Sequence, residues 1–210
     1  MNKRTRYDVQ KRVADVILGL ALLIVTLPIQ GLVALAIAAR LGRPVHFRQP
    51  RPGLDGKVFM LVKFRTMQPA AAGEGVSSDA ARLTRFGRFL RATSLDELPT
   101  LIHVVRGEMS LVGPRPLLVS YLDRYTALQA RRHEVRPGVT GLAQVSGRNA
   151  LTWDEKLALD VTYVDSRSLR LDLRILLATV SSVLRRSGIS AEGHSTMTEF
   201  QGTQSGTSVE

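Results

Sequence analysis

Two adjacent carboxylates, Asp96 and Glu97, stand in the run Arg88-Phe89-Leu90-Arg91-Ala92-Thr93-Ser94-Leu95-Asp96-Glu97-Leu98-Pro99. An ionised carboxylate can attack an electrophilic centre or hold a hard cation such as Mg²⁺, so Asp96 is a candidate nucleophile and metal ligand. The same run has a second reading. Ser94 with Glu97, and Thr93 with Asp96, have the spacing of a capping box, which makes Glu97 an equally good helix-start residue. Pro99 complicates the register, because it disfavours helical geometry at Leu98 and can itself open a helix. Either register leaves Asp96 near a helix N-terminus, where the dipole and Arg91 are expected to keep it ionised.

Cations framed by Gly and Pro follow. In Gly113-Pro114-Arg115-Pro116 two prolines fix the backbone around one guanidinium, whose planar fork suits a phosphate. A plain Pro-rich turn with an exposed Arg is the alternative. Arg136 to Gly141 and Gly147-Arg148-Asn149 extend the theme, and amides freed by glycine can also bind an anion. Lys63 and Arg65, in Lys63-Phe64-Arg65-Thr66-Met67, read more simply as the wet face of a strand. His46, His103, His133 and His194 lack metal-ligand spacing, and His103, inside an apolar helix, reads as structural. Walker, nucleophile-elbow and dinucleotide fingerprints are missing. With no cysteine, disulfides, thiolate metal sites and cysteine nucleophiles are excluded.

The elements that must hold these groups begin with an apolar segment. Val16 to Ala39 is 24 residues without a formal charge, about 36 Å as a helix against a hydrocarbon core of roughly 30 Å. A cleaved signal peptide accounts for it less well, since the run outlasts the usual apolar region of one. Pro28 predicts a bend near Thr26 and Leu27, with Thr26 and Gln30 placed to satisfy part of the freed backbone. Lys3, Arg4, Arg6, Lys11 and Arg12 precede the run, and Arg40, Arg43, Arg48 and Arg51 follow it. A broken helix that enters and leaves on one face keeps both clusters at cytoplasmic headgroups; a straight span puts one outside. Beyond it, Val58 to Phe64 suits a strand, and Arg82 to Leu90, Pro99 to Val105, Asp154 to Asp165 and Leu169 to Arg186 suit helices. The last is amphipathic and fits either a core or a membrane interface.

The 210 residues carry a net charge of +11, and without residues 191 to 210 the body has 29 basic against 15 acidic side chains, or +14. At 44% hydrophobic the chain can bury a core, whereas 5% aromatic residues and the single Trp153 argue against a single-stranded nucleic-acid platform. The expected class is mostly helical α/β and membrane-associated. Residues 1–12 form a basic start, 13–40 the Pro-broken membrane helix, 41–188 a catalytic domain and 189–210 a flexible tail.

These segments, taken together and in order, resemble the bacterial sugar transferases, the small monotopic phosphoglycosyl transferases that act on polyprenol phosphate. The elements that match are the Pro-broken apolar segment, Lys63 to Met67, Arg91 to Pro99, Gly113 to Pro116, Arg136 to Gly141 and Gln144 to Asn149. One departure is that Leu27, not Ser, precedes the membrane proline. The resemblance implies that Asp96, with Mg²⁺, attacks the β-phosphate of a UDP-sugar and releases UMP, after which polyprenol phosphate takes the sugar phosphate. It makes Glu97 an assisting residue and carries phosphate or nucleotide contacts to Arg91, Arg115 and Arg148, with Lys63 and Pro114 beside them. The implied partners are UDP-sugar, polyprenol phosphate and membrane lipid, not nucleic acid, with a homo-oligomer left open. The implied place is the cytoplasmic face of a bacterial inner membrane.

Overall fold

The apolar segment folds as α1, Lys3–Leu41, a single helix of 39 residues. At 1.5 Å per residue it is about 58 Å long, roughly twice a hydrocarbon core. This computed structural model describes residues 3–68, 82–147, 151–185 and 199–202. Pro28 does not end α1. The carbonyl it leaves without a donor is that of Ile24, and the two polar side chains expected to compensate do something else. Thr26 Oγ1 donates to the Leu22 carbonyl at 2.7 Å, and Gln30 Nε2 donates to Thr26 Oγ1 at 3.0 Å. Back-bonding of this kind itself favours a bend.

Both halves of α1 pack on the same domain. In the first half Tyr7 and Lys11 donate to Asp172 Oδ2, each at 2.9 Å, and Asp15 Oδ1 accepts the Leu111 N–H at 3.1 Å. Gly19 lies so near that an added Cβ would sit 3.0 Å from Val104. In the second half Val33 and Ile37 are buried with Phe64 and Leu90. Full burial of an Ile or Leu stabilises by about 1.5–3 kcal/mol each, so the contact is substantial. Between the halves, Ile24, Val25, Leu27, Ile29 and Leu32 are exposed.

An antiparallel hairpin comes next, β1 (His46–Pro52) and β2 (Val58–Phe64), with Gln49 opposite Leu61. Strand β2 is the one expected from its short apolar run, with Phe59 and Leu61 buried. Helix α2 (Arg85–Ala92) starts at Thr84, whose hydroxyl accepts the Gly87 N–H at 3.0 Å. Gly87 is required there, since a Cβ would sit 1.8 Å from the Thr66 carbonyl. A 3₁₀ segment, Leu95–Thr100, leads into α3 (Leu101–Arg106). His103 is structural, as expected: its Nε2 accepts the Val62 N–H at 3.1 Å, so Nδ1 is the protonated nitrogen facing Glu108 at 2.6 Å.

Two short strands, β3 (Ser110–Val112) and β4 (Gly138–Thr140), pair in parallel. Short helical turns at Val119–Arg124, Ala127–Ala130 and Arg131–Glu134 lie between β3 and β4, and helices α4 (Leu142–Ser146), α5 (Trp153–Ser166) and α6 (Leu169–Arg185) follow β4. The main core joins Phe59, Leu61, Leu101, Val104, Met109, Val112, Tyr163 and Ile175. Helix α6 has one buried and one exposed apolar face. Ile175 is in the core, while Leu169, Leu173, Leu177 and Val180 form an exposed apolar row. Within the segment expected to be a flexible tail, residues 199–202 are docked: Phe200 is buried against Tyr121 and Leu157, with Trp153 alongside. An aromatic side chain of that size offsets the ordering of a few residues.

Candidate active site

The capping boxes anticipated around Asp96 do not form. Ser94 takes a left-handed conformation (φ 55°) and makes no side-chain cap, and Thr93 Oγ1 instead donates back to the Phe89 carbonyl at 2.9 Å. A tight 3₁₀ turn therefore presents both carboxylates, and Glu97 is released from capping to meet two cations. Its Oε1 accepts from Lys63 Nζ at 2.7 Å and from Arg115 Nη2 at 2.6 Å. Lys63 is thus not a wet-face lysine: its side chain is only 21% exposed and points from β2 into the site. Burial lowers the Lys63 pKa, and the Glu97 charge partly offsets this. For Glu97, burial alone would raise the pKa, but Arg115 and Lys63 hold it well below the usual carboxylate range.

Asp96 is buried and differently placed. Among the described residues, no hydrogen bond reaches its carboxylate. Burial, and then the neighbouring Glu97 charge, push its pKa up to about 6 against the pull of Lys63, Arg115 and Arg91. The shift runs opposite to the one expected from a helix terminus, because a short 3₁₀ turn brings little dipole and the Asp96 carboxylate is buried. Arg91 sits at the end of α2, with Nε donating to Thr66 Oγ1 at 3.0 Å, and is close enough to act on Asp96 electrostatically.

The Gly113–Pro116 loop holds Arg115 through its main chain. Gly113 N–H donates to the Thr140 carbonyl and Gly138 N–H to the Pro114 carbonyl, both at 2.9 Å. Arg132 Nη2 donates to the Arg115 carbonyl at 2.6 Å, and Arg51 Nη1 to that of Pro116 at 3.3 Å. Pro114 is buried and positions the loop. Arg132, 2% exposed, is itself fixed by two hydrogen bonds to Asp160 Oδ2, at 3.0 and 2.7 Å. The sequence carries no local signal for Arg132 or Asp160, and Arg51, read with the basic flank that faces headgroups, turns into the site instead. Two expected cations work elsewhere. Arg136 Nε donates to the Gly107 carbonyl just beyond α3, and Arg65 donates to the Leu41 and Gly42 carbonyls at the end of α1. Arg148 lies outside the described residues.

A cavity of about 310 Å³ opens beside this cluster. Arg51, Lys63, Glu97 and Arg115 make its charged side, and Leu117, Leu118, Tyr121 and Trp153 its apolar side. Burial, followed by the charge of Arg115, lowers the Arg51 pKa to about 10, so it remains a cation at neutral pH. The donor set fits a hard divalent cation that draws most of its ligands from elsewhere. Asp96 offers an unengaged carboxylate with Glu97 next to it, while the described residues hold no cluster of three or more acidic, His or Cys ligands. Mg²⁺ commonly takes one or two carboxylates together with substrate phosphates and water.

The bacterial sugar transferase family model matches residues 6–186. The chain is 49% identical over 193 residues to an uncharacterized sugar transferase, EpsL, of Bacillus subtilis, covering 91% of this chain and 96% of that one. It is 43% identical over 192 residues to a UDP-glucose:undecaprenyl-phosphate glucose-1-phosphate transferase of Caulobacter vibrioides, covering 86% and 72%. A Klebsiella pneumoniae protein of the same name is 40% identical over 181 residues, which span 81% of this chain and 39% of that longer one.

The buried anchor of the Arg115 loop has a measurable consequence. Arg132→Leu leaves Asp160 charged and without its partner, and is expected to lower unfolding stability by about 3–5 kcal/mol. Denaturant unfolding in detergent reads this directly, and Arg132→Leu/Asp160→Leu should recover much of the loss.

Proposed function

The chain belongs to the bacterial sugar transferase family and is a transferase, and we propose that it moves a sugar 1-phosphate from a UDP-sugar to polyprenol phosphate by way of Asp96. The observation that carries this reading is the pair of neighbouring carboxylates in opposite states: Glu97 is tied to Lys63 and Arg115, while among the described residues no hydrogen bond engages the Asp96 carboxylate. A nucleophile must keep its lone pairs available, and Asp96 does.

In the first step an Asp96 carboxylate oxygen bonds to the β-phosphorus of the donor. The bond from that phosphorus to the oxygen bridging the two phosphates breaks, and UMP leaves. In the second step a phosphate oxygen of the polyprenol carrier attacks the same phosphorus, giving a polyprenol diphosphate sugar and restoring the Asp96 carboxylate. Arg51, Lys63, Arg91 and Arg115 stand against Asp96 and Glu97, an excess of two positive charges that matches the two negative charges of the donor diphosphate. Fixed cations of this kind stabilise charge that shifts during phosphoryl transfer. Bound Mg²⁺ would add neutralisation of the diphosphate, with Asp96 as its protein ligand and Glu97 in support.

A donor that is water-soluble and an acceptor that is a lipid must meet at the membrane surface. We read α1 as a re-entrant helix whose ends both face the cytoplasm. The support is that Tyr7, Asp15 and Gly19 on one side of Pro28, and Val33 and Ile37 on the other, all pack on one domain, leaving the apolar middle exposed. A straight span would draw part of that polar domain into hydrocarbon, where each unsatisfied polar group costs several kcal/mol.

Purified protein with Mg²⁺, polyprenol phosphate and a panel of UDP-sugars is expected to release UMP from at least one donor, and Asp96→Asn to reduce release to background. Near-normal release by that variant would reject the nucleophile assignment, and no release from any donor would reject the reaction. For topology, cysteines introduced at Thr5 and Val45 should both react with an impermeant thiol reagent only from the cytoplasmic side. Labelling from opposite sides would establish a straight span.

A further inference from the structure

The docked segment near the C-terminus has no part in the chemistry above, yet it touches the same cavity from behind. Phe200 is 2% exposed, and its ring lies 5.6 Å from Tyr121, 5.7 Å from Tyr125 and 5.5 Å from Trp153, centre to centre. Its backbone is held at both ends: the N–H donates to the Tyr121 hydroxyl at 3.1 Å, and Arg124 donates to its carbonyl and, at 2.8 Å, to the Glu199 carboxylate. Tyr121 and Trp153, which meet edge to face at 5.6 Å, line the apolar side of the cavity whose charged side is Lys63, Glu97 and Arg115. Phosphates on the charged side leave the uridine, or the sugar, against that aromatic wall. Phe200 fills the space behind the wall.

We propose that Phe200 is a positioning residue for the donor: by backing Tyr121 and Trp153 it sets the shape of the cavity wall and hence the affinity for the nucleotide portion of the UDP-sugar. This rests on the reading that the cavity takes a UDP-sugar. Phe200 touches no reacting atom, so its removal acts on ground-state and transition-state binding alike and leaves the phosphoryl step alone. Trp153 is the single tryptophan. Its ring meets that of Phe200 at a tilt of 53° and borders the cavity, so its fluorescence reports tail docking and nucleotide binding from one position.

The experiment uses the full chain and its Phe200→Ala and Phe200→Leu variants, with UDP as the binding probe. Wild type should show a saturable change in Trp153 emission with UDP. Phe200→Ala should alter the emission of the free protein, weaken UDP binding by about 10-fold, equivalent to about 1.4 kcal/mol, and raise the donor KM to match, with kcat within about twofold. Phe200→Leu, which keeps apolar bulk, should lie between. The proposal is overturned if Phe200→Ala binds UDP as wild type does, or if kcat falls while KM holds, the mark of a general structural defect. It is equally overturned if UDP leaves Trp153 emission unchanged in an enzyme that turns over UDP-sugar. Failure of turnover with intact, Phe200-dependent UDP binding would instead count against the reaction and in favour of this assignment.

Discussion

One carboxylate oxygen, Glu97 Oε1, accepts from two cations that arrive from different parts of the chain, Lys63 on β2 and Arg115 in the Pro-framed loop. Three segments separated by tens of residues converge on that atom, and the rest of the site is arranged around it. Because Glu97 takes up both cations, the buried Asp96 carboxylate beside it is left without a hydrogen bond among the described residues. Burial makes its ionised form less favourable, and the surrounding cations restore it in part. Charge-assisted bonds of 2.6–2.7 Å are short and directional, and although Arg115 is exposed, Lys63 and Glu97 are largely shielded, so the two bonds restrain the turn at Leu95–Thr100.

That convergence needs its own scaffold. The buried Arg132–Asp160 pair fixes the main chain of Arg115 from α5, Arg51 holds the next carbonyl from β1, and His103 ties α3 to β2, so each contributor to the site is braced by a different element. Helix α1 then braces the domain as a whole through Asp15 and Asp172 at one end and Ile37 at the other. The exposed apolar middle of α1 and the exposed row on α6 are the surfaces that water would not favour. Together they give a polar, cation-rich site on a body with apolar outer faces, the combination required to bring a soluble diphosphate and a lipid phosphate together.

Much of this was legible in the residues. Strand β2 followed from its apolar run, the first helix from its long uncharged stretch, and Asp96, Glu97 and Arg115 stood out singly by residue type. The parts that were not legible share a cause: they depend on contacts between distant segments. Ser94 and Glu97 carry a capping-box pattern, yet the left-handed Ser94 and the pull of two cations override it. Lys63 follows the alternation of an exposed face but finds a carboxylate from another element. Arg136 sits among Gly and Pro like a phosphate ligand and instead donates to the Gly107 carbonyl at the end of α3. Phe200 stands alone in a polar tail, where local composition gives no hint of an aromatic pocket.

In the proposed reaction Asp96 becomes covalently attached to the sugar phosphate. The direct measurement is to mix protein, Mg²⁺ and a turned-over UDP-sugar radiolabelled at the β-phosphorus, omit polyprenol phosphate, quench, digest and locate the label by mass spectrometry. The account predicts a phosphosugar adduct on the peptide containing Asp96, formed in step with UMP and discharged when polyprenol phosphate is added. UMP release with no adduct, or an adduct on another residue, would contradict it.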